Sequence, residues 1–342
     1  MSIREIQPGT ARARELYGDF WFNTEPIPIS ALRGGVVVLF FWDFAFAASL
    51  RALPYLFGWR ERYEESGCTV IGVHAPRLPF ARDPEEVRRA IERLHIDFPV
   101  VVDNDSLIAT HYECRELPEI VLIDRDGFIR YRSTGEGSYA AVEHSLQALL
   151  YQAGAAGEMP LVMEPVRDSD RKGVVCYRPT PDIFTGYVRG SLGNVEGYSP
   201  ESGVRYEDPG MYLDGRFYAE GEWMNGRDAF TLLSEPRSGG HLRIGYRGLE
   251  AEGVLGPEGK ETVEVTVRQD NEYLSEQNRG EDIRTDVSGR SYLVVDRPRV
   301  YQLVRNREFG EHLLWLSGDT GSFSAYGFSF STAAVPELVS KN

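Results

Sequence analysis

Seven consecutive apolar residues, Val36–Trp42 (VVVLFFW), follow the pair Gly34-Gly35 and lead into Asp43. The run is far too short to span a bilayer, and a strand wetted on one face would alternate polar with apolar. It predicts a strand buried on both faces, as in sheets covered by helices on either side. The residues that follow agree. A helical stretch covers about 46–65 with Pro54 inside it, where a kink is expected, and a second buried strand covers 69–74 (TVIGVH). Asp83-Pro84 opens another helix with an N-cap and a proline at the first helical position. Val100–Val102 and 119–124 read as strands. Arg125-Asp126-Gly127 turns the chain into a hairpin partner at 128–132, and an amphipathic helix over 139–152 stops near Gly154. Alternation followed by a hairpin means an α/β sheet, parallel with an antiparallel edge, over residues 1–155.

After about residue 157 the helical period fades. Short alternating segments (HLRIGYR, TVEVTVR, SYLVVD, RVYQLV, HLLWLS, FSAYGFSF) recur between Gly, Asp and Asn turns. They predict an all-β sandwich of jelly-roll type over 180–342, with residues 156–179, including the polar RDSDRKG, as a linker. A chain of 342 residues suits two domains.

Charge and cysteine usage exclude several functions. Lys plus Arg is 37 and Asp plus Glu is 52, so the formal charge is −15, which argues against a nucleic-acid partner. No stretch approaches the roughly 20 apolar residues of a membrane span, and MSIREIQPGTARARELYGDFW has no apolar signal core, so no membrane partner and a cytoplasmic location are expected. Cys68, Cys114 and Cys176 form neither a CxxC nor a zinc knuckle, and three separate thiols fit a reducing compartment. The six histidines show no metal-ligand spacing, and Asp103-Asn104-Asp105 reads as a turn. GEGSY (135–139) lacks the strand–GxGxxG–helix context of a nucleotide site. No metal and no cofactor are expected.

Several motifs occur in an order that resembles a known family: WFNTEP (21–26), FWDFAFAASLRALPYL (41–56), IGVHAP (71–76), LPEIVLIDRDG (117–127), TPDIFTGYVRG (180–190) and AYGFSFS (325–331). Together they resemble the thioredoxin-like redoxins of the TlpA/ResA type, and most nearly the C-terminal part of the DipZ proteins, over about residues 17–332. The resemblance implies a thioredoxin-like domain followed by a β domain of carbohydrate-binding-like type, and a thiol–disulfide oxidoreductase ancestry. It also implies that the family's two redox cysteines belong at positions 46 and 49, where this chain has Phe46 and Ser49, and that Pro118 is the family's cis-proline. Thioredoxin chemistry needs a thiolate held by a helix N-terminus and a second thiol to resolve the mixed disulfide. Phenylalanine has no nucleophile, and a serine hydroxyl is too basic without an activating base. The resemblance therefore implies a redox-inactive binding protein for a protein or small ligand.

Strand ends place Trp42, Asp43 and His74 near Ser49, as a ligand pocket or as inherited buried polar residues. Cys114, four residues before Pro118, is the one thiol near that site, and carries the alternative of a single-cysteine oxidoreductase or peroxidase. In the second domain Trp223, Tyr246, Trp315 and Tyr326 are candidates for stacking on sugars, the other alternative. The same domain is a candidate surface for homo-oligomer formation.

Overall fold

The computed structural model describes residues 11–233, 240–259 and 261–336. The chain enters its first sheet through the short strand β1 (Trp21–Phe22), and the apolar run becomes β2 (Val36–Trp42), all seven residues buried. The helix α1 (Ala47–Tyr63) continues through Pro54, which gives up one backbone hydrogen bond without ending it. β3 (Cys68–His74) lies parallel to β2, with Val36 opposite Cys68 and Trp42 opposite His74. In α2 (Pro84–Arg93) the Asp83 carboxylate accepts from the Glu85 N–H at 2.9 Å, as an N-cap should.

β4 (Val100–Val102) is parallel to β3. It leads to α3 (Leu107–His111), a single turn too short for periodicity to reveal. Asp103 accepts from the Ile108 and Ala109 N–H groups at 2.9 and 2.7 Å, so this acidic turn caps a helix. β5 (Glu119–Ile123) and β6 (Ile129–Thr134) are the hairpin, and α4 (Tyr139–Ala153) ends at Gly154 in the left-handed region. The sheet order is β1-β4-β3-β2-β5-β6, with β2, β3 and β4 parallel and the other three strands antiparallel to their neighbours. β2 is central, which is why it is apolar on both faces.

Two compact units divide at residue 173, the first Met1–Gly173 and the second Val174–Asn342. The stretch expected as a linker is bonded to them rather than free. The Pro160 carbonyl accepts from Gln147, the Met163 N–H donates to Glu143 at 2.9 Å, and the Val166 N–H donates to the Tyr55 hydroxyl at 2.8 Å. On the other side, the Tyr177 N–H donates to the Ala333 carbonyl at 3.0 Å.

The second unit is all β: β7 (Ile183–Phe184), β8 (Gly203–Tyr206), β9 (Phe217–Asn225), β10 (Phe230–Leu232), β11 (His241–Pro257), β12 (Val263–Gln269), β13 (Glu272–Tyr273), β14 (Ile283–Thr285), β15 (Ser291–Val295), β16 (Arg299–Gly318) and β17 (Phe323–Phe330). The long strands organise it. β11 pairs along its length with β16, with irregularities at Gly248/Glu250 and Ala251/Glu252 where the strands bend. Its first residues pair with β9 and its last with β17, and β10 joins β9 to β17, closing a circuit of strands. Inside lie Trp223, Phe230, Tyr246, Tyr301, Phe323 and Phe328, all nearly inaccessible. No helix among the described residues is long and apolar enough to cross a membrane.

Candidate functional site

The carboxyl ends of β2 and β3 bring Trp42, Asp43 and His74 to one end of the sheet, beside the N-terminus of α1. Phe46 is the N-cap, extended at φ −128°, with no side-chain cap of its own. Its carbonyl accepts from the N–H of Ser49 at 2.9 Å, and its own N–H donates to the Asp43 carbonyl at 3.1 Å. Asp43 holds this turn together. One carboxylate oxygen accepts from the Ala45 N–H and the other from the Arg77 N–H, each at 2.8 Å. Ser49 is fully buried, and its Oγ accepts from the Asp43 N–H at 3.3 Å.

His74 completes no relay with these groups. Its Nε2 is 3.6 Å from Asp43 Oδ1 and 3.5 Å from the Phe44 N–H nitrogen, and it makes no hydrogen bond with Ser49. Its Nδ1 is buried with no hydrogen-bond partner in the described residues. The ring stacks on Phe44 and meets Trp42 edge-on, each at 5.3 Å between centroids. A Ser–His–Asp device needs the base within about 3.2 Å of the hydroxyl. Trp42, Asp43 and His74 are also at most 1% exposed, so the expectation that they line a ligand pocket is corrected. They form the floor beneath the site, where the Asp43 carboxylate serves the local backbone while Trp42 Nε1 and His74 Nδ1 are buried with no hydrogen-bond partner among the described residues.

The accessible rim is built from other residues. Phe46 is half-buried, and the exposed Arg77 guanidinium lies 4.9 Å above its ring, a cation–π contact. Leu117-Pro118, buried behind that rim, is a cis peptide, and the Pro118 carbonyl accepts from the Gly135 N–H at 2.8 Å. That fixes the loop where Glu136 meets Arg51 in a two-pronged ion pair, both contacts 2.7 Å. Cys114 is half-buried, its Sγ 3.5 Å from the Glu116 carbonyl oxygen. Burial pushes its thiol pKa well up, and the neighbouring Glu119 carboxylate pushes further, against the opposing pull of Arg132 and Arg77. Glu119 is 2% exposed and ion-paired to Arg132, yet burial still raises its own pKa. Cys68, at the other end of β2 and β3, is pushed up to about 12 by burial. No two of the three cysteines are joined in a disulfide. The site thus has an apolar ring, a cation and a cis-proline, but neither a thiolate nor an activated hydroxyl.

In the second unit Trp223 is wholly buried and stacks on Phe230 at 5.1 Å, and Tyr246 is 2% exposed with its hydroxyl donating to Gln269 at 2.6 Å. Both are core residues, which corrects the expectation that they stack on sugars: the closing strands need large aromatic fillers. Trp315 and Tyr326 remain half-buried. Sequence spacing missed one group. Asp208, Glu220 and His241 offer donor atoms within 4.8 Å of one another, with His241 Nε2 at 3.7 and 3.6 Å from the two carboxylates. Arg243 fills the middle, its Nε 3.1 Å from Asp208 and 3.2 Å from His241 Nε2. A guanidinium already serves as the cation there, and the donor set does not fit a metal. Period-2 alternation puts His241 and Arg243 on one face, but Glu220 joins them only through the β9–β11 register, which local pattern does not encode.

Residues 19–132 match the AhpC/TSA family, and residues 180–331 match the family described as thioredoxin like C-terminal domain. Protein DipZ of Mycobacterium bovis is 29% identical over 244 residues, covering 67% of this chain and 34% of DipZ. The chain therefore spans about a third of that relative's length. Thiol-disulfide oxidoreductase ResA of Bacillus cereus is 28% identical over 123 residues, 36% of this chain and 68% of ResA. Among solved structures, a thiol-disulfide isomerase from Corynebacterium glutamicum is similar at 27% identity and TM-score 0.37, covering 40% of this chain and 96% of that one. On the two family matches and the DipZ and ResA relatives, the chain belongs to the thioredoxin-like redoxins, with an AhpC/TSA-type first unit joined to a thioredoxin-like C-terminal domain.

Proposed function

We propose that the first unit is a non-catalytic binding module, holding a protein segment or small ligand on the rim formed by Phe46 and Arg77, with the cis-proline Pro118 buried behind it. One observation carries this reading: the turn into α1, where a redoxin needs a thiolate, holds a phenylalanine under an arginine and a buried serine bonded to the backbone. The nearest thiol, Cys114, is kept protonated by burial and by Glu119, so it is a poor nucleophile. An apolar ring beside a cation favours a ligand with an aromatic or aliphatic group next to an acidic one. Three cysteines with no disulfide among them suit a reducing compartment, in keeping with a cytoplasmic site of action.

The experiment is a peptide-array screen followed by NMR titration of isotope-labelled protein. Hits enriched in acidic-aromatic sequences, with shifts clustered at residues 46 and 77 and lost in Arg77→Ala, support the proposal. Shifts confined to the second unit, or binding indifferent to Arg77→Ala and Phe46→Ala, contradict it.

A further inference from the structure

The end of the first sheet opposite Asp43 and His74 carries a cleft of about 650 Å³ lined by Arg12, Arg33, Arg125, Asp126 and Phe128. Three separate parts of the chain build it. Arg33 lies in the approach to β2, Arg125 and Asp126 lie in the β5–β6 turn, and Arg12 forms a β-bridge with Phe128. The Gly34 N–H donates to the Arg125 carbonyl at 2.8 Å and ties the first two together.

The guanidinium groups are partly fixed. Arg12 lies 4.6 Å over the Phe128 ring, and Arg125 donates one N–H to the Gln152 carbonyl at 3.0 Å. Neither Arg12 nor Arg33 has a carboxylate partner among the described residues, and Asp126 is 3.9 Å from Arg125. Three cations around one cleft, against one carboxylate, repel one another in a chain whose overall charge is −15. A bound anion relieves that repulsion. A single carboxylate can engage one guanidinium fork and one charge. A diphosphate has acceptor oxygens and charge for all three, and Arg forks match its geometry.

We propose that this cleft binds a diphosphate group, free or carried on a small molecule. It lies at the opposite end of the sheet from the rim at Phe46 and shares no residue with it, so the two sites stand or fall separately. The test is isothermal titration of the full chain with inorganic pyrophosphate, and in parallel with a nucleoside diphosphate, citrate and a single-stranded oligonucleotide. Saturable pyrophosphate binding is expected, weakened by added salt. Arg33→Ala should weaken it about tenfold or more; Arg33 is exposed and has no described side-chain bond, so the fold should survive. Asp126→Asn removes the one opposing charge and should tighten it several-fold. Tighter binding of the nucleoside diphosphate than of pyrophosphate would indicate a carried group, and equal binding a free one. The proposal is overturned by absent saturation, by citrate or the oligonucleotide binding at least as tightly as pyrophosphate, or by affinity unchanged in both variants.

Discussion

Asp43 has the identity and place of a catalytic acid, but its geometry is that of a brace. Its two oxygens accept the N–H groups of Ala45 and Arg77, each at 2.8 Å, and it is 1% exposed. Asp43→Ala leaves both donors without partners. An orphaned buried donor costs about 1–3 kcal/mol, and the part-buried Arg77 N–H falls at the low end, so the expected loss is about 2–4 kcal/mol. With a urea m-value of about 2 kcal/mol/M, the unfolding midpoint of the first unit should fall by about 1–2 M. Asp43→Asn keeps one acceptor oxygen and should lose roughly half as much. Ser49→Ala removes only an acceptor for the Asp43 N–H at 3.3 Å, and should cost no more than about 1 kcal/mol. The assay is urea unfolding followed by tryptophan fluorescence, which reports Trp42 and Trp59 in the buried core of this unit. A midpoint shift under about 0.3 M for Asp43→Ala, at the same slope, would refute the argument that its carboxylate serves the backbone.

Three further outcomes follow from particular contacts. Because burial and Glu119 raise the Cys114 pKa, its alkylation rate should climb about tenfold per pH unit from pH 7 to 9 with no plateau; levelling off near pH 8 would contradict that environment. Tyr55 donates to Asp170 at 2.7 Å and accepts from Val166, so Tyr55→Phe should lower hydrogen-exchange protection across residues 160–172; unchanged protection would mean the strap is held by other contacts. Burial tends to raise the Asp208 pKa, but bonds from Tyr212 and the Gly210 N–H, with the Arg243 charge, leave it lowered. A lowered carboxylate stabilises the fold above its unfolded pKa of about 3.9, and that stabilisation is lost as pH falls through the folded value. Asp208→Asn should therefore cost about 0.5–1 kcal/mol at pH 7 and nothing near pH 2, read from thermal unfolding at the two pH values. A constant difference would show that the charge is not what matters.

The order of the first unit was readable in the sequence because its signals are local and mutually consistent. Val36–Trp42 is apolar throughout as a central strand must be, and Asp83-Pro84 caps a helix by its own side chain. The family resemblance supplied what periodicity could not, above all the cis geometry at Pro118. What escaped was non-local. α3 is one turn long, held by Asp103. The strap over 159–170 is polar and reads as a linker, yet Glu143 and Tyr55, far away in sequence, bind it. Residue type also misled where burial decides: Trp223 and Tyr246 have the chemistry of sugar platforms and the positions of core fillers, while His74 has the chemistry of a base and an aromatic cage around it. Arg77 over Phe46 joins residues 31 apart, and only the fold reveals it.

The most direct test of a binding rather than a catalytic role is turnover. The full chain and its Cys114→Ser variant are incubated with insulin disulfides and a dithiol, and separately with a hydroperoxide, and product is followed over time. With Phe46 and Ser49 at the head of α1 and Cys114 held protonated, both proteins should show the uncatalysed rate in each assay. A clear acceleration that disappears in Cys114→Ser would contradict the account and make this a single-thiol enzyme.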